Sequence, residues 1–479
     1  MSKQNSKQKK LPPLEDVHGA KYPLKEKLAE GGQGVVYTTE LPQVLIKGFT
    51  NKDEHAKKKW RSHIDWLIRQ DIADLKLARP LILMKEPRMA YAMELMDGLV
   101  PLKSILDSYI EANEKLSDDN PAPQLQDYLD QGGLRRRIRI LCQLARTLNQ
   151  LHSRGMLYGD ISLDNIFVSD DPNHSETWLI DCDNISYESH SGLTVHTPDY
   201  GAPEVVRGDA MLSSLTDCWS FAVIAYQLLT HNHPFKGEMI SDGEPELEDE
   251  ALRGEHPWIN DPDNPDNECL TNLEIQLIDN SKLPDLFQQT FGVGKDIPLS
   301  RPSMAEWLEA LTEVDEHLFQ CKECNGHTIL PSDTEYMDDV CCFFCDPPVA
   351  VDPDLVLFEE FIRVSESERQ EKYPELEGNQ IATGRRVCLQ PGDQKELKRL
   401  MPSFSYDSVP SDHIQLEYSE TRLVITPVDP LHISRGDNNI KKFKKKIPLK
   451  SETRGKNQEP YCIHLGNPDE THVFWQFRW

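Results

Sequence analysis

The sequence predicts an α+β body, then a small metal-clamped element, then an all-β domain. Three observations carry this. Leu157–Val168 is an apolar run broken by Asp160 and Asn165, and Trp178–Asn184 follows as a short strand ending in acidic residues. Cys321-Lys322-Glu323-Cys324 and Cys342-Phe343-Phe344-Cys345 form two C-x2-C knuckles seventeen residues apart. From Ile381 onward, short β-like runs alternate with proline, glycine and charged turns, the pattern of a β-sandwich.

A chain of 479 residues has room for two to four domains. Its net charge of -28 argues against nucleic acid as the main ligand, because phosphate binding needs a basic surface. No run reaches the ~18 apolar residues of a membrane helix. The basic, polar start Met1–Lys10 lacks the apolar core of a secretory signal. The expectation is a cytoplasmic protein with neither membrane nor nucleic-acid partner. Five of eleven cysteines crowd into 321–345, which points to metal rather than a disulfide framework.

In chain order, residues 1–18 read as a disordered tail of Lys, Gln and Pro. Leu28–Tyr37 is a glycine-rich turn between apolar stretches, with Gly31 and Gly34 able to bring backbone N–H groups close to an anion. Taken alone, it is an ordinary hairpin turn. Val44-Leu45-Ile46-Lys47 is an apolar strand ending in a lysine, and Met89–Gly98 is a second apolar strand. Arg135–Arg154 is a helix, with Ile138, Leu141, Leu144, Leu148 and Leu151 at helical spacing and Gly155 closing it. Thr197-Pro198-Asp199-Tyr200-Gly201-Ala202-Pro203-Glu204, then Asp217–Ala222, then Arg301-Pro302-Ser303 complete the order. Residues 236–272, rich in Pro and Asp, read as a surface insert.

Together these motifs resemble the eukaryotic-type Ser/Thr protein kinases over about residues 22–318. The resemblance implies a two-lobed fold, with an N-lobe over 19–98 and a C-lobe over 99–318. It implies that Glu30, Gly31, Gly34 and Val36 cover ATP, and that Lys47 holds the α- and β-phosphates. Met93 would sit behind the adenine, with the backbone of Glu94 to Met96 bonding its edge. Asp160 would orient and deprotonate the acceptor hydroxyl, and Asn165 and Asp181 would hold Mg2+. The favoured function is ATP-dependent phosphorylation of Ser or Thr on protein substrates. A pseudokinase scaffold and a small-molecule kinase are the alternatives, the second opposed by the Thr197–Glu204 platform.

The departures from the family are specific. Ala29 replaces the first glycine of the loop. The helix expected over Glu54–Gln70 lacks a glutamate at the usual depth, leaving Glu54 or Asp65 to pair with Lys47. Tyr158-Gly159 replaces His-Arg, which implies that activity is not switched through an activation-loop phosphate. Ser162 stands where a lysine is usual, and Cys182-Asp183 where Phe-Gly is usual.

Cys321, Cys324, Cys342 and Cys345 have zinc-ribbon spacing, so a structural Zn2+ is expected over 319–348, with Cys341 and His327 as substitute ligands. A kinase domain followed by such a ribbon resembles bacterial kinases of tellurite-resistance and stress-associated phosphatase–kinase systems. Residues 349–379 read as an acidic linker, and 380–479 as a β-rich domain. Gly384-Arg385, Ser411 and His413 faintly resemble the phosphothreonine-binding pattern of forkhead-associated domains, which implies a phosphoprotein partner. Lys441–Lys446 is a basic run, read as a solvated loop or an acidic-partner contact.

Overall fold

The computed structural model describes residues 12–31, 34–115, 117, 122–190, 196–269, 275–331, 340–345, 354–398, 413–427, 431–436, 438–443, 445–455 and 459–479. The chain divides into two compact units. One runs to Ile275 and includes Lys282–Leu311; the other combines Gln276–Ser281 with Thr312–Trp479.

The first unit opens with an antiparallel five-stranded sheet. Its strands are β1 (Leu24–Glu30), β2 (Gly34–Thr39), β3 (Val44–Phe49), β4 (Ile82–Leu83) and β5 (Ala90–Glu94), in the order β1-β2-β3-β5-β4. Helix α1 (Glu54–Ile68) lies between β3 and β4 in sequence, its start capped by the Asp53 carboxylate accepting from the Ala56 N–H at 2.6 Å. The expected disorder over 1–18 does not extend to its described end. Leu14–Glu15 pairs with Lys21–Tyr22, and buried Asp16 accepts from the N–H groups of His18 and Ala20 and from the Tyr22 hydroxyl. A local Asp-centred turn orders this segment without any apolar pattern to announce it.

Below the sheet, helix α2 (Gly133–His152) buries the predicted stripe of Ile138, Leu141, Leu144, Leu148 and Leu151, and Gly155 follows with φ +72°. It delivers the chain to a small sheet of Leu99–Pro101, β6 (Ile166–Ser169) and β7 (Thr177–Leu179). Helix α3 (Ser214–Thr230) starts with a Ser213/Thr216 capping box and is apolar all round, as a central buried helix should be. Its Trp219 and Tyr226 meet Phe235, Trp258, Phe287 and Phe291 through stacked and edge-on contacts. The 236–272 stretch is therefore more than a surface insert. It contains helix α4 (Pro245–Leu252), and Ile240, Ala251, Trp258 and Ile259 anchor it in the core among the prolines and acids. Arg301 grips Glu204 with two parallel bonds of 2.8 and 2.7 Å, both side chains buried.

The second unit begins in the last turns of helix α5 (Met304–His317), followed by the hairpin β8 (Leu318–Gln320) and β9 (His327–Ile329). A six-stranded and a four-stranded sheet follow. Their strands are β10 (Val356–Arg363), β11 (Gln380–Leu389), β12 (Gln394–Lys398), β13 (His413–Ser419), β14 (Arg422–Pro427), β15 (Leu431–Arg435), β16 (Asn438–Phe443), β17 (Ile447–Lys450), β18 (Tyr461–Leu465) and β19 (His472–Phe477). The sheets run β11-β10-β19-β18-β15-β16 and β12-β13-β14-β17, and they share one apolar core that includes Phe358, Leu416, Ile425, Ile463 and Trp475. This is the expected sandwich.

The acidic linker is a correction. Its Val356–Arg363 segment is an inner strand, flanked by β11 and β19. Val356 and Phe358 point into the core at a period of two, and acidic neighbours masked that alternation. The ribbon is a second correction, because it is no separate module. Phe319, Cys321, Leu330 and Cys342 share a buried cluster with Cys388 of β11, and the side chain of Gln390 bonds both backbone groups of Gln320. The basic run lies partly on β16, an edge strand, where Lys441 and Lys442 are exposed; Lys444 lies outside the described residues. Lysines on an edge oppose pairing with a further strand.

Four histidines are held neutral by burial. It lowers His231 to about 2, His233 to about 4, His317 to about 4 and His464 to about 3. In the unfolded chain each takes a proton near pH 6.5. Their contribution is therefore full above that pH and is lost as pH falls from there toward 4, at about 1.4 kcal/mol per pH unit per histidine. Thermal melting should show both units losing stability between pH 7 and pH 5, since each holds two of the four.

Candidate active site

The loop that carries Asp160 and Asn165 is held by one carboxylate. Asp217 of α3, 2% exposed, accepts from the N–H of Tyr158 at 2.7 Å and of Gly159 at 2.9 Å, and meets His152 Nε2 at 3.0 Å. The Tyr158 hydroxyl donates to the Ile180 carbonyl, tying this loop to the strand end that carries Asp181. The Ile180 N–H donates to the Asn165 carbonyl at 2.9 Å, a second tie. Asn165 Nδ2 bonds the Asp160 carbonyl at 2.9 Å and its Oδ2 at 3.2 Å. The Asn165 amide oxygen is then the atom with which this residue can ligate a cation. Asp181 sits in the left-handed region at φ 55°, a strained conformation for an aspartate. Ser162, which stands at the usual lysine position, is buried at 1% exposure.

The Thr197–Glu204 segment is fastened at four of its residues. Thr197 Oγ1 donates to Asp160 Oδ1 at 2.7 Å. Lys236 pairs with Asp199 at 2.8 Å, Ser220 Oγ donates to the Tyr200 carbonyl at 2.7 Å, and Arg301 holds Glu204. Ser191 and Thr194, in the segment before it, lie outside the described residues.

On the sheet side, the glycine turn closes through the Gly31 N–H to the Gly34 carbonyl at 2.9 Å; Gly32 and Gln33 lie outside the described residues. A Cβ on Gly34 would meet the Gly48 carbonyl oxygen at 2.6 Å, so the strand approach itself demands glycine there. Exposed Glu30 ends β1 and pairs with Lys27, and Val36 lies opposite Lys47 in the β2–β3 register. At the end of β5, Glu94 is exposed, Met93 and Met96 are half-buried, and the Leu95 N–H donates to the Gln43 carbonyl at 2.9 Å.

Lys47 is 6% exposed and contacts Asp181 and Asp183, the latter at 3.0 Å. Burial disfavours its charge, but the carboxylates of Asp183 and Asp181 outweigh burial and raise its pKa. Burial also raises the pKa of Asp181, with like charges at Asp183 and Asp160 adding to the effect against the pull of Lys47. Two carboxylates on one ammonium, with the Asp160 charge also acting on Asp181, leave a negative site that a divalent cation would relieve. Both expected helix partners of Lys47 are elsewhere: Glu54 pairs with Lys57 at 2.7 Å, and Asp65 with Arg69 on its own helix. Their arms leave from the solvent side of α1. The partner that sequence reasoning missed is Asp183. The available signal was an acid at the usual glycine position in a chain lacking the usual helix glutamate.

The protein kinase domain family matches residues 22–309, more than half of the chain. The chain belongs to the protein kinase family. The chain is similar to Protein kinase C delta type of Homo sapiens, 38% identical over 117 residues, which is 23% of this chain and 16% of that protein. It is also similar to two proteins of Myxococcus xanthus, Serine/threonine-protein kinase Pkn1 (33% over 111 residues; 22% of this chain, 16% of the relative) and Serine/threonine-protein kinase pkn2 (30% over 112 residues; 22% and 13%). The chain thus spans about one sixth or less of the curated relatives it matches. Family membership implies ATP and Mg2+ as cofactors.

In the second unit, the Sγ atoms of Cys321, Cys324, Cys342 and Cys345 lie within 4.8 Å of one another, with Cys321–Cys345 and Cys324–Cys342 both at 3.6 Å. Zn–S bonds of about 2.3 Å in a tetrahedron set S···S edges of about 3.8 Å, so the four thiols fit that ion. Cys341 and His327 are outside the cluster. Arg385, the expected phosphate-binding arginine, is engaged internally. It pairs with Glu316 at 2.6 Å and Glu360 at 3.4 Å and lies over the Trp475 ring. A phosphate there would compete with these two carboxylates; Ser411 lies outside the described residues.

Gly159 adopts φ +85°, and a Cβ there would meet Leu157 Cδ1 at 3.0 Å and Leu212 Cδ1 at 3.3 Å. Restoring the usual arginine, Gly159→Arg, should therefore cost about 1–3 kcal/mol of stability. Urea unfolding of the variant against wild type measures this.

Proposed function

We propose that the chain is an ATP-dependent Ser/Thr protein kinase. The observation that carries the proposal is the bond from Thr197 Oγ1 to Asp160 Oδ1, which couples the protein-substrate platform to the catalytic carboxylate. Asp160 accepts the proton of the substrate hydroxyl as it attacks the γ-phosphate. Asn165 and Asp181 would hold Mg2+, which supplies charge neutralisation of the phosphates when bound. Lys47 and the backbone of Gly31 and Gly34, flanked by Glu30 and Val36, fix the phosphates. The hydrogen bond of Leu95 to Gln43 leaves the adenine edge to the backbone of Glu94 and Met96. Catalysis then rests on positioning and electrostatics. A pseudokinase scaffold is opposed by the retention of Lys47, Asp160, Asn165 and Asp181 in one connected network.

An autophosphorylation assay with Mg-ATP tests this. Asp160→Ala and Asp181→Asn should each abolish turnover while the melting temperature stays near that of wild type. Unchanged turnover in either variant would place the chemistry elsewhere.

We also infer that the four-cysteine cluster holds a structural Zn2+, with no open ligand position for catalysis. Purified protein should carry about one Zn2+ per chain. The double variant Cys324→Ser/Cys345→Ser should carry none. Because the cluster shares a core with Cys388 of the sandwich, chelation should lower the melting temperature of the second unit while Mg-ATP binding survives.

A further inference from the structure

A lysine at 6% exposure needs a permanent counter-charge, and the retained metal-loop carboxylate cannot serve alone. Asp181 is the residue a divalent cation would claim. Lys47 must then hold its place through some other acid, and α1 supplies none, since Glu54 and Asp65 pair with Lys57 and Arg69.

Asp183 has the required geometry. Its side chain is 5% exposed, and its Oδ2 lies 3.0 Å from Lys47 Nζ. Its Oδ1 accepts from the Tyr91 hydroxyl at 2.6 Å, and Trp60 Nε1 lies 3.5 Å from Oδ2. These groups come from β3, β5 and α1, so one carboxylate gathers three elements of the lobe. Tyr91 stands directly opposite Lys47 in the β3–β5 register, which puts both side chains on one face of the sheet. The Trp60 ring stacks between Phe49 at 5.0 Å and Tyr91 at 6.0 Å, walling the ion pair from water. On this face helix α1 thus meets the ion pair through its indole rather than through an acid.

We propose that Asp183 is the positioning residue that holds Lys47 against the phosphates of ATP, so that the acid usually supplied by the helix is supplied here by the metal loop. The proposal rests on the kinase reading above. It makes the placement of Lys47 independent of any ion pair to α1. Because Asp183 is two residues from Asp181, the metal ligand and the lysine's anchor move as one piece of backbone.

The test uses the full chain and four variants: Asp183→Asn, Glu54→Gln, Asp65→Asn and Tyr91→Phe. Asn at 183 keeps the shape and the acceptor for Tyr91 while removing the charge. Asp183→Asn should lower kcat about 100-fold through misplacement of the lysine, with the KM for the protein substrate unchanged. It should also weaken Mg-ATP binding by about tenfold or more in calorimetry. Glu54→Gln and Asp65→Asn should stay within about threefold of wild type, and Tyr91→Phe, which keeps the ion pair, should fall between the two classes. If Asp183→Asn binds Mg-ATP as tightly as wild type, or if a helix variant loses as much as Asp183→Asn, the proposal is overturned. Wild-type protein that binds Mg-ATP but transfers no phosphate sinks the kinase reading alone, because the binding comparison still reports on Asp183.

Discussion

A buried ammonium needs a carboxylate beside it, and the small lobe is organised by where that carboxylate comes from. Lys47 is driven inward by the apolar strand that carries it, with Ile46 fully buried just before it. Leaving it unpaired would cost several kcal/mol. The charge beside it is found just after β7, at Asp181 and Asp183. The aromatic trio Phe49, Trp60 and Tyr91 makes sense in that setting. It keeps water from the pair and gives the helix an apolar docking surface there.

The large lobe is organised by a second buried charge, of opposite sign. Asp217 takes two backbone N–H groups of the Asp160 loop, and Ser220, one turn further along the same helix, takes the Tyr200 carbonyl of the platform. One rigid helix therefore sets the distance between the Asp160 loop and the Tyr200 segment, the two parts that the proposed reaction would bring together. The Arg301–Glu204 pair closes the platform from its other end, with the guanidinium also over the Trp219 ring. Positions of this kind tolerate little drift, which would suit the proposed transfer, where a misplacement of about 1 Å costs about 100-fold.

What the sequence made legible follows from which constraints are local. Asp160 and Asn165 lie five residues apart on one loop, and the C-x2-C knuckles on two tight turns, so spacing alone exposes them. The helix Gly133–His152 was readable for the same reason, its stripe being a local period. Lys47 itself was readable, but its partner was not. That contact spans well over a hundred residues, and the usual helix acid had been replaced by one elsewhere. The Asp16 turn escaped notice because it is held by hydrogen bonds rather than by apolar burial. The strand Val356–Arg363 escaped because Glu359 and Glu360 dilute its alternation. Glu360 is nevertheless buried, with Arg385 across from it. The phosphate-site likeness at Arg385 has a related limit: a short motif does not reveal which acids already surround it.

That inner strand also bears on how such a chain can be cut and rejoined by recombination. A crossover in the acidic stretch would strip the six-stranded sheet of the strand joining β11 to β19 and would part the cysteine hairpin from the β11 surface it packs on. The inheritable cassette therefore begins near Thr312, ahead of the first cysteine, and not at the apparent start of the β-rich composition. Rearranged genes that keep the sandwich should keep the knuckles with it, whatever catalytic or binding domain precedes them.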